Sequence, residues 1–183
     1  MLRIIGGEWR GRRWRFPDVA GLRPTPDRVR ETLFNWLSLR ISGARCLDLF
    51  AGSGALGLEA LSRGADHVTF VERDAQAAQG IRTLLGEWLS TAQGQRSDVV
   101  ARDALEYVKR QPARVDGVFL DPPFASTHVA DVLARLVNGW LAPGAWVYVE
   151  QPADAGLDLP PGLILRRSKQ AGEVGYHLLD YET

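Results

Sequence analysis

The chain is poor in sulfur and in lysine. Of its 183 residues one is cysteine and one methionine, and Lys109 and Lys169 are the only lysines among 22 basic residues. One cysteine excludes an internal disulfide and a cysteine-rich zinc site. Cys46 sits in the apolar stretch RCLDLF, where a buried structural thiol is expected rather than a nucleophile. His67, His128 and His177 are scattered without the spacing of metal ligands, so no metal is expected. No apolar run reaches the ~20 residues of a membrane span, and MLRIIGGEWRGR lacks the apolar centre of a signal peptide. The expectation is a cytoplasmic protein with no membrane partner. Internal repeats and low-complexity segments are missing too. What remains, 45% hydrophobic and 24% charged residues, is the composition of an ordinary globular protein. The length suits one domain with a full core.

Net charge is zero, yet the charge is unevenly placed. Residues 1–45 carry ten arginines against four acids, which leaves twelve basic and eighteen acidic residues for the remainder, so +6 is followed by −6. A basic N-terminal part suits a polyanion, and equally a solvated basic face.

LRII and RRWRF flank the glycine-containing GGEWRG, the pattern of a β-hairpin. GLRPTP then reads as an extended linker. Asp27 offers an N-cap to a helix RVRETLFNWLSL, whose Val29, Leu33, Trp36 and Leu37 recur at helical spacing and which Gly43 ends. Apolar strands and helices alternate from there. Strands are expected at ARCLDLF, HVTFVE, DVVAR, VDGVFL and AWVYVEQ. Helices are expected at ALGLEALSRG, from an Asp74 cap to about Trp88, at ALEYVKR and at HVADVLARLVNGW. Such alternation predicts a parallel sheet covered on both faces. LILRRSKQ and GEVGYHLLDYE, separated by a short turn, should add an antiparallel pair at the sheet edge.

DLFAGSGALGLEA contains G-x-G-x-x-G at Gly52, Gly54 and Gly57 between a strand and a helix. Alone, this pattern fits a nicotinamide or flavin enzyme as well as other nucleoside binders. The glycines allow close backbone approach, and the following helix N-terminus favours an anionic group. Glu72, ending the second strand, can accept two ribose hydroxyls. Asp48, just before the glycines, would repel a pyrophosphate but suits the ammonium of an amino-acid moiety, so S-adenosylmethionine fits better. Asp103 is placed to accept an adenine amine, with the Ala104 N–H beside it, and it is equally a cap for ALEYVKR.

DPPF closes the fourth strand, so Asp121, Pro122, Pro123 and Phe124 should face the same crevice as the glycine loop. An exocyclic amine is a poor nucleophile because its lone pair is delocalised into the base. The Asp121 carboxylate and the Pro122 carbonyl can hold its two N–H groups in a geometry that frees the lone pair, without a covalent intermediate. Phe124 offers a stacking face. Rival readings are a DNA adenine-N6 or cytosine-N4 methyltransferase, opposed by the absence of an obvious target-recognition domain, and a non-catalytic nucleic-acid-binding relic of the fold.

RIIGGEWRGRRW, GLRPTPDRVRETLFNWL, LDLFAGSGALGLEALSRGA, DPPF and KQAGEVGYHLL together resemble, end to end, the RsmD family of small-subunit ribosomal RNA guanine-N2 methyltransferases. The resemblance implies a Rossmann-like S-adenosylmethionine-dependent methyltransferase. Its sheet would be mostly parallel and seven-stranded, with an antiparallel C-terminal edge pair. It divides the chain into an N-terminal β-hairpin and linker, residues 1–26, that bind RNA, and a methyltransferase domain, residues 27–183. It implies cofactor contacts from Asp48, Phe50, Ala51, Gly52, Ser53, Gly54, Glu72, Arg73, Asp103 and Ala104. Asp121, Pro122, Pro123 and Phe124 become the catalytic pocket. Small-subunit ribosomal RNA, carried by an assembling or assembled small subunit, becomes the partner of a monomeric enzyme. Arg10, Arg12, Arg13, Arg23, Thr25, Arg28 and Arg30 would bind that RNA. Trp9 and Trp14 would stack on splayed bases or pack on the domain.

Overall fold

The computed structural model describes every residue except Leu22, Ala92, Gly94, Gln95 and 124–127. Two short strands, β1 (Leu2–Arg3) and β2 (Arg13–Trp14), pair antiparallel at the N-terminus and are followed by α1 (Asp27–Trp36). The alternating part consists of β3 (Arg45–Asp48), α2 (Ala55–Ser62), β4 (His67–Glu72), α3 (Ala75–Trp88), β5 (Ser97–Ala101), α4 (Ala104–Val108), β6 (Val115–Leu120), α5 (Val129–Leu136) and β7 (Leu141–Pro152). A final pair, β8 (Leu163–Ala171) and β9 (Val174–Tyr181), completes the described elements. The large sheet has the order β5-β4-β3-β6-β7-β9-β8. Its first five strands are parallel, while β9 runs antiparallel to both β7 and β8.

Successive side chains of a strand point to opposite faces, and here both faces are apolar. Cys46, Phe70, Phe119, Trp146 and Tyr148 join one core with α1, α2 and α3; Leu47, Val71, Val118, Val147 and Val149 join another with α4 and α5. Both helical caps read from the sequence inside this part are present. Asp74 accepts from the Ala77 N–H at 2.8 Å and Asp103 from the Glu106 N–H at 3.2 Å. Asp27 is a correction. It is the first residue of α1, not its cap, and its carboxylate binds the Arg3 and Arg30 guanidinium groups instead.

The N-terminal segment packs into the first core through Leu2, Ile4, Trp9 and Trp14. Trp9 and Trp14 are 2% and 3% exposed, and each meets Trp88 of α3 edge-on. The Arg12 guanidinium lies over the Trp9 and Trp88 rings. Glu59 on α2, fully buried, is the anchor. Its carboxylate accepts from the backbone N–H groups of Ile5 and Gly6 at 2.9 and 2.8 Å, and pairs with Arg63 at 2.9 Å and Arg30 at 3.4 Å. Backbone donors and guanidinium groups together replace the water this charge lost.

Candidate functional site

The strand pleat decides which acids meet. Asp48 lies opposite Phe70 of β4 and Phe119 of β6, and Leu120 of β6 lies opposite Val149 of β7. By alternation Asp48, Glu72, Asp121 and Glu150 follow Cys46, Phe70, Phe119 and Tyr148 onto the face that carries α1 to α3. Four acids thus stand side by side at the carboxyl ends of four parallel strands, where open α/β sheets bind ligands.

Between β3 and α2 the loop turns on Gly52 and Gly54, whose φ values of 54° and 80° are left-handed and suit only residues without a Cβ. The acids hold this loop. The Gly52 N–H donates to Glu72 Oε2 at 2.8 Å and the Gly57 N–H to Asp48 Oδ2 at 3.1 Å. Glu72 Oε1 accepts from the Asp74 N–H at 2.9 Å, so this carboxylate shapes two loops at once. Gly57 has a different purpose from the other two glycines. A Cβ there would stand 2.2 Å from the Phe70 ring, so this position lets α2 lie close on β4. The N-terminal segment reaches the same loop, because the Trp14 indole N–H donates to the Ser53 carbonyl at 3.2 Å.

Burial, opposed by the Gly57 N–H and reinforced by Glu72, pushes the Asp48 carboxyl up to about 7. Among the described residues the groups that act on it most include no cation, so a ligand bringing a positive charge would restore the carboxylate. Among the expected cofactor contacts, Ala51, Ser53 and Ala104 are buried, Phe50 and Asp103 half-buried, and Arg73 exposed.

At the next strand end the Thr25 hydroxyl lies 3.2 Å from Asp121 Oδ2 and 3.0 Å from Glu150 Oε1, and the Tyr148 hydroxyl donates to Glu150 Oε1 at 2.7 Å. Burial, followed by the neighbouring Glu150, raises the Asp121 carboxyl well above the ordinary carboxylate range. Pro122 is buried and Pro123 half-buried; Phe124 lies outside the described residues.

Two residues assigned to the RNA face belong inside. Arg30 has no exposed side-chain surface: it donates to the Thr25 and Arg3 carbonyls and pairs with Asp27 and Glu59, so it cannot reach a phosphate. Thr25, 5% exposed, points at the acids. The structure also decides for Trp9 and Trp14 in favour of packing. Arg10, Arg12, Arg13, Arg23 and Arg28 are exposed. Glu150 was not singled out by sequence; an acid following WVYV at a strand end was the available signal.

A cavity of about 340 Å³ lined by Arg40, Ser42, Asp116 and Trp146 opens at the opposite end of the sheet. Its charges are engaged, Asp116 by the Arg45 N–H and Arg40 by Asp180 and the Gly144 carbonyl, so the chemistry points to the strand ends.

Strand order, glycine loop and strand-end acids define the chain as a Rossmann-like methyltransferase. It belongs to the RsmD family: the family model described as Conserved hypothetical protein 95 matches residues 2–180. Ribosomal RNA small subunit methyltransferase D of Escherichia coli strain K12 is 46% identical over 183 residues, covering 99% of this chain and 90% of its own length. The protein of that name from Haemophilus influenzae is 43% identical over 181 residues, covering 97% and 92%. Among solved structures, the Escherichia coli chain yhhF superposes with a TM-score of 0.89 at 43% identity, covering 100% of this chain and 98% of its own. A hypothetical protein of the Thermus genus does so at 0.77 and 33% identity, covering both chains fully.

Proposed function

We propose that this protein transfers a methyl group from S-adenosylmethionine to the exocyclic N2 of a guanine in small-subunit ribosomal RNA. The observation that carries the reading is the placement of Asp121 beside Asp48 and the glycine loop on one face of adjacent strand ends. The family membership supports the substrate, since the relatives are named for ribosomal RNA of the small subunit.

The residues present fit the cofactor. The turn at Gly52 and Gly54 puts no Cβ in the way of close approach, Glu72 suits ribose hydroxyls, Asp103 with Ala104 suits an adenine edge, and Asp48 suits an ammonium. When bound, S-adenosylmethionine supplies an electrophilic methyl carbon on a sulfonium. Asp121 and the Pro122 carbonyl accept the two N–H groups of the amine and free its lone pair for attack. Fixing that geometry converts a collision into a positioned reaction. Glu150 is covered by the linker at Thr25 and by the buried Tyr148, while Asp121 stays half-buried and within reach of a substrate. The exposed arginines 10, 12, 13, 23 and 28 bind phosphates and set the RNA over the pocket. The enzyme acts as a monomer.

Labelled S-adenosylmethionine, offered with small subunits from cells lacking the enzyme, naked ribosomal RNA and genomic DNA, tests this. N2-methylguanosine on a ribosomal substrate is expected. Label only on DNA adenine or cytosine would replace the substrate, and label on none would overturn the reading.

A further inference from the structure

Thr25 was expected to touch RNA and Glu150 was not expected to act at all, yet the two meet at Asp121. The contacts obey a proton count. Thr25 has one hydroxyl proton and lies within hydrogen-bond distance of two carboxyl groups, 3.2 Å from Asp121 and 3.0 Å from Glu150. It can donate to only one of them. The other contact is a hydrogen bond only if that carboxyl carries a proton and donates it to Thr25 Oγ1. The half-buried Asp121 and buried Glu150 carboxyls also act on each other directly, and two carboxyl groups this close hold one proton between them.

We propose that Asp121 and Glu150 share a single proton through the Thr25 hydroxyl, and that Glu150 is a positioning residue that takes this proton when the substrate amine binds. At rest Asp121 donates to Thr25 and Thr25 to Glu150, which also accepts from Tyr148 at 2.7 Å. An arriving amine offers N–H donors that favour a charged Asp121. The Asp121 O–H bond then breaks as an O–H forms on Thr25 Oγ1, and the original Thr25 O–H breaks as one forms on Glu150. No proton enters or leaves, and Asp121 is now an acceptor fixed in direction by Thr25. The proton later lost by the methylated amine passes to Asp121 and then to water.

The surroundings agree. Asp121 and Glu150 both sit above their ordinary range, chiefly from burial. Among the described residues the titratable groups facing the pair are Tyr148 on β7 and Asp48 on β3, with Tyr176 on β9 next to Tyr148. Arg30 on α1 is spent on the Thr25 carbonyl at 3.3 Å, on Asp27 and on Glu59. That bond holds the linker so that its hydroxyl stays between the acids.

This inference rests on the proposed reaction only for its purpose, so its first test needs no substrate. The Asp121 carboxyl carbon is titrated by NMR in protein labelled with 13C-aspartate, in the parent and in Glu150→Gln, Thr25→Val and Thr25→Ser. Removing the neighbouring charge should lower the Asp121 midpoint by about one pH unit or more. Removing the bridging hydroxyl takes away the acceptor that holds the shared proton and should lower it as well, while Thr25→Ser, which keeps a hydroxyl, should leave it at the parent value. A general loosening of the fold would not depend on that one hydroxyl. An unmoved midpoint in Glu150→Gln or Thr25→Val, or a fall in Thr25→Ser equal to that in Thr25→Val, overturns the proposal. If Glu150→Gln does not fold, Thr25→Val against Thr25→Ser decides. In methyl transfer the acid limb of kcat should move to lower pH with the midpoint, with cofactor affinity unchanged; an acid limb that stays put overturns the positioning role. Midpoints that move as stated without methyl transfer to any nucleic acid would keep the shared proton and overturn the reaction.

Discussion

Glu59 is a buried acid and Asp121 a half-buried one; some partners of each come from the N-terminal 30 residues, and they live under opposite conditions. Glu59 is surrounded by donors, two backbone N–H groups and two guanidinium groups. Asp121 has one hydroxyl, shared with the buried carboxyl of Glu150. The first arrangement settles a charge and fastens the chain. The second leaves acceptor capacity unspent at a strand end, where a ligand rich in N–H donors can complete it. Where donors are complete an acid stabilises the fold, and where they are withheld it is kept for binding.

The contrast is broken most severely at Glu59. Glu59→Ala leaves Arg30 buried without its carboxylate partner on α2 and the Ile5 and Gly6 N–H groups without their acceptor, and should cost about 3–5 kcal/mol. Urea unfolding measures it, and a loss under ~1 kcal/mol would mean that the anchor is dispensable. Asp121→Ala should act the other way round. Turnover is expected to fall roughly 10²–10³-fold, while calorimetry finds cofactor affinity little changed; equal losses in both would remove Asp121 from its role.

Asp48 sharpens the comparison, because its carboxyl is both under-supplied and linked to pH. Its value of about 7 in the folded state exceeds the ordinary 3.8. The folded protein therefore holds this proton more tightly than the unfolded chain, and the group costs stability progressively as pH rises from about 4 to about 7. Asp48→Asn keeps an acceptor for the Gly57 N–H and removes the charge. It should stabilise the protein at pH 8 by roughly 2–4 kcal/mol and weaken cofactor binding. In the parent, affinity for a cationic cofactor should rise with pH and level off above about 7. A gain in both stability and cofactor affinity would contradict the assignment.

The smallest effect belongs to the surface. Replacing Arg10, Arg13 and Arg23 by alanine should change the unfolding free energy by no more than about 0.5 kcal/mol per site. It should reduce the slope of log affinity for RNA against log salt by roughly 0.7–0.9 for each phosphate that these arginines neutralise. An unchanged slope would move the RNA to another face.

Much of this was legible in the chain. Alternating apolar runs marked out the parallel strands, and Asp74 and Asp103 marked their helices, because periodicity and capping are local. The strand-end acids Asp48, Glu72 and Asp121 were legible for the same reason, each standing next to a motif. Arg30 was misread because its spacing beside Arg28 suits a basic face, while its partners Glu59 and the Thr25 and Arg3 carbonyls come from elsewhere in the chain. Trp9 and Trp14 were ambiguous because nothing local announces Trp88 as their partner.

By itself the sequence determined the elements, the glycine loop, the order of the strand-end acids and the family, all properties of neighbours along the chain. Only the tertiary structure decided that β9 inserts between β7 and β8, that the linker is buried at Thr25, and that Glu150 stands beside Asp121. Those facts depend on strand pairing and side-chain packing between distant segments, and no local preference encodes which distant donor will meet a buried acid.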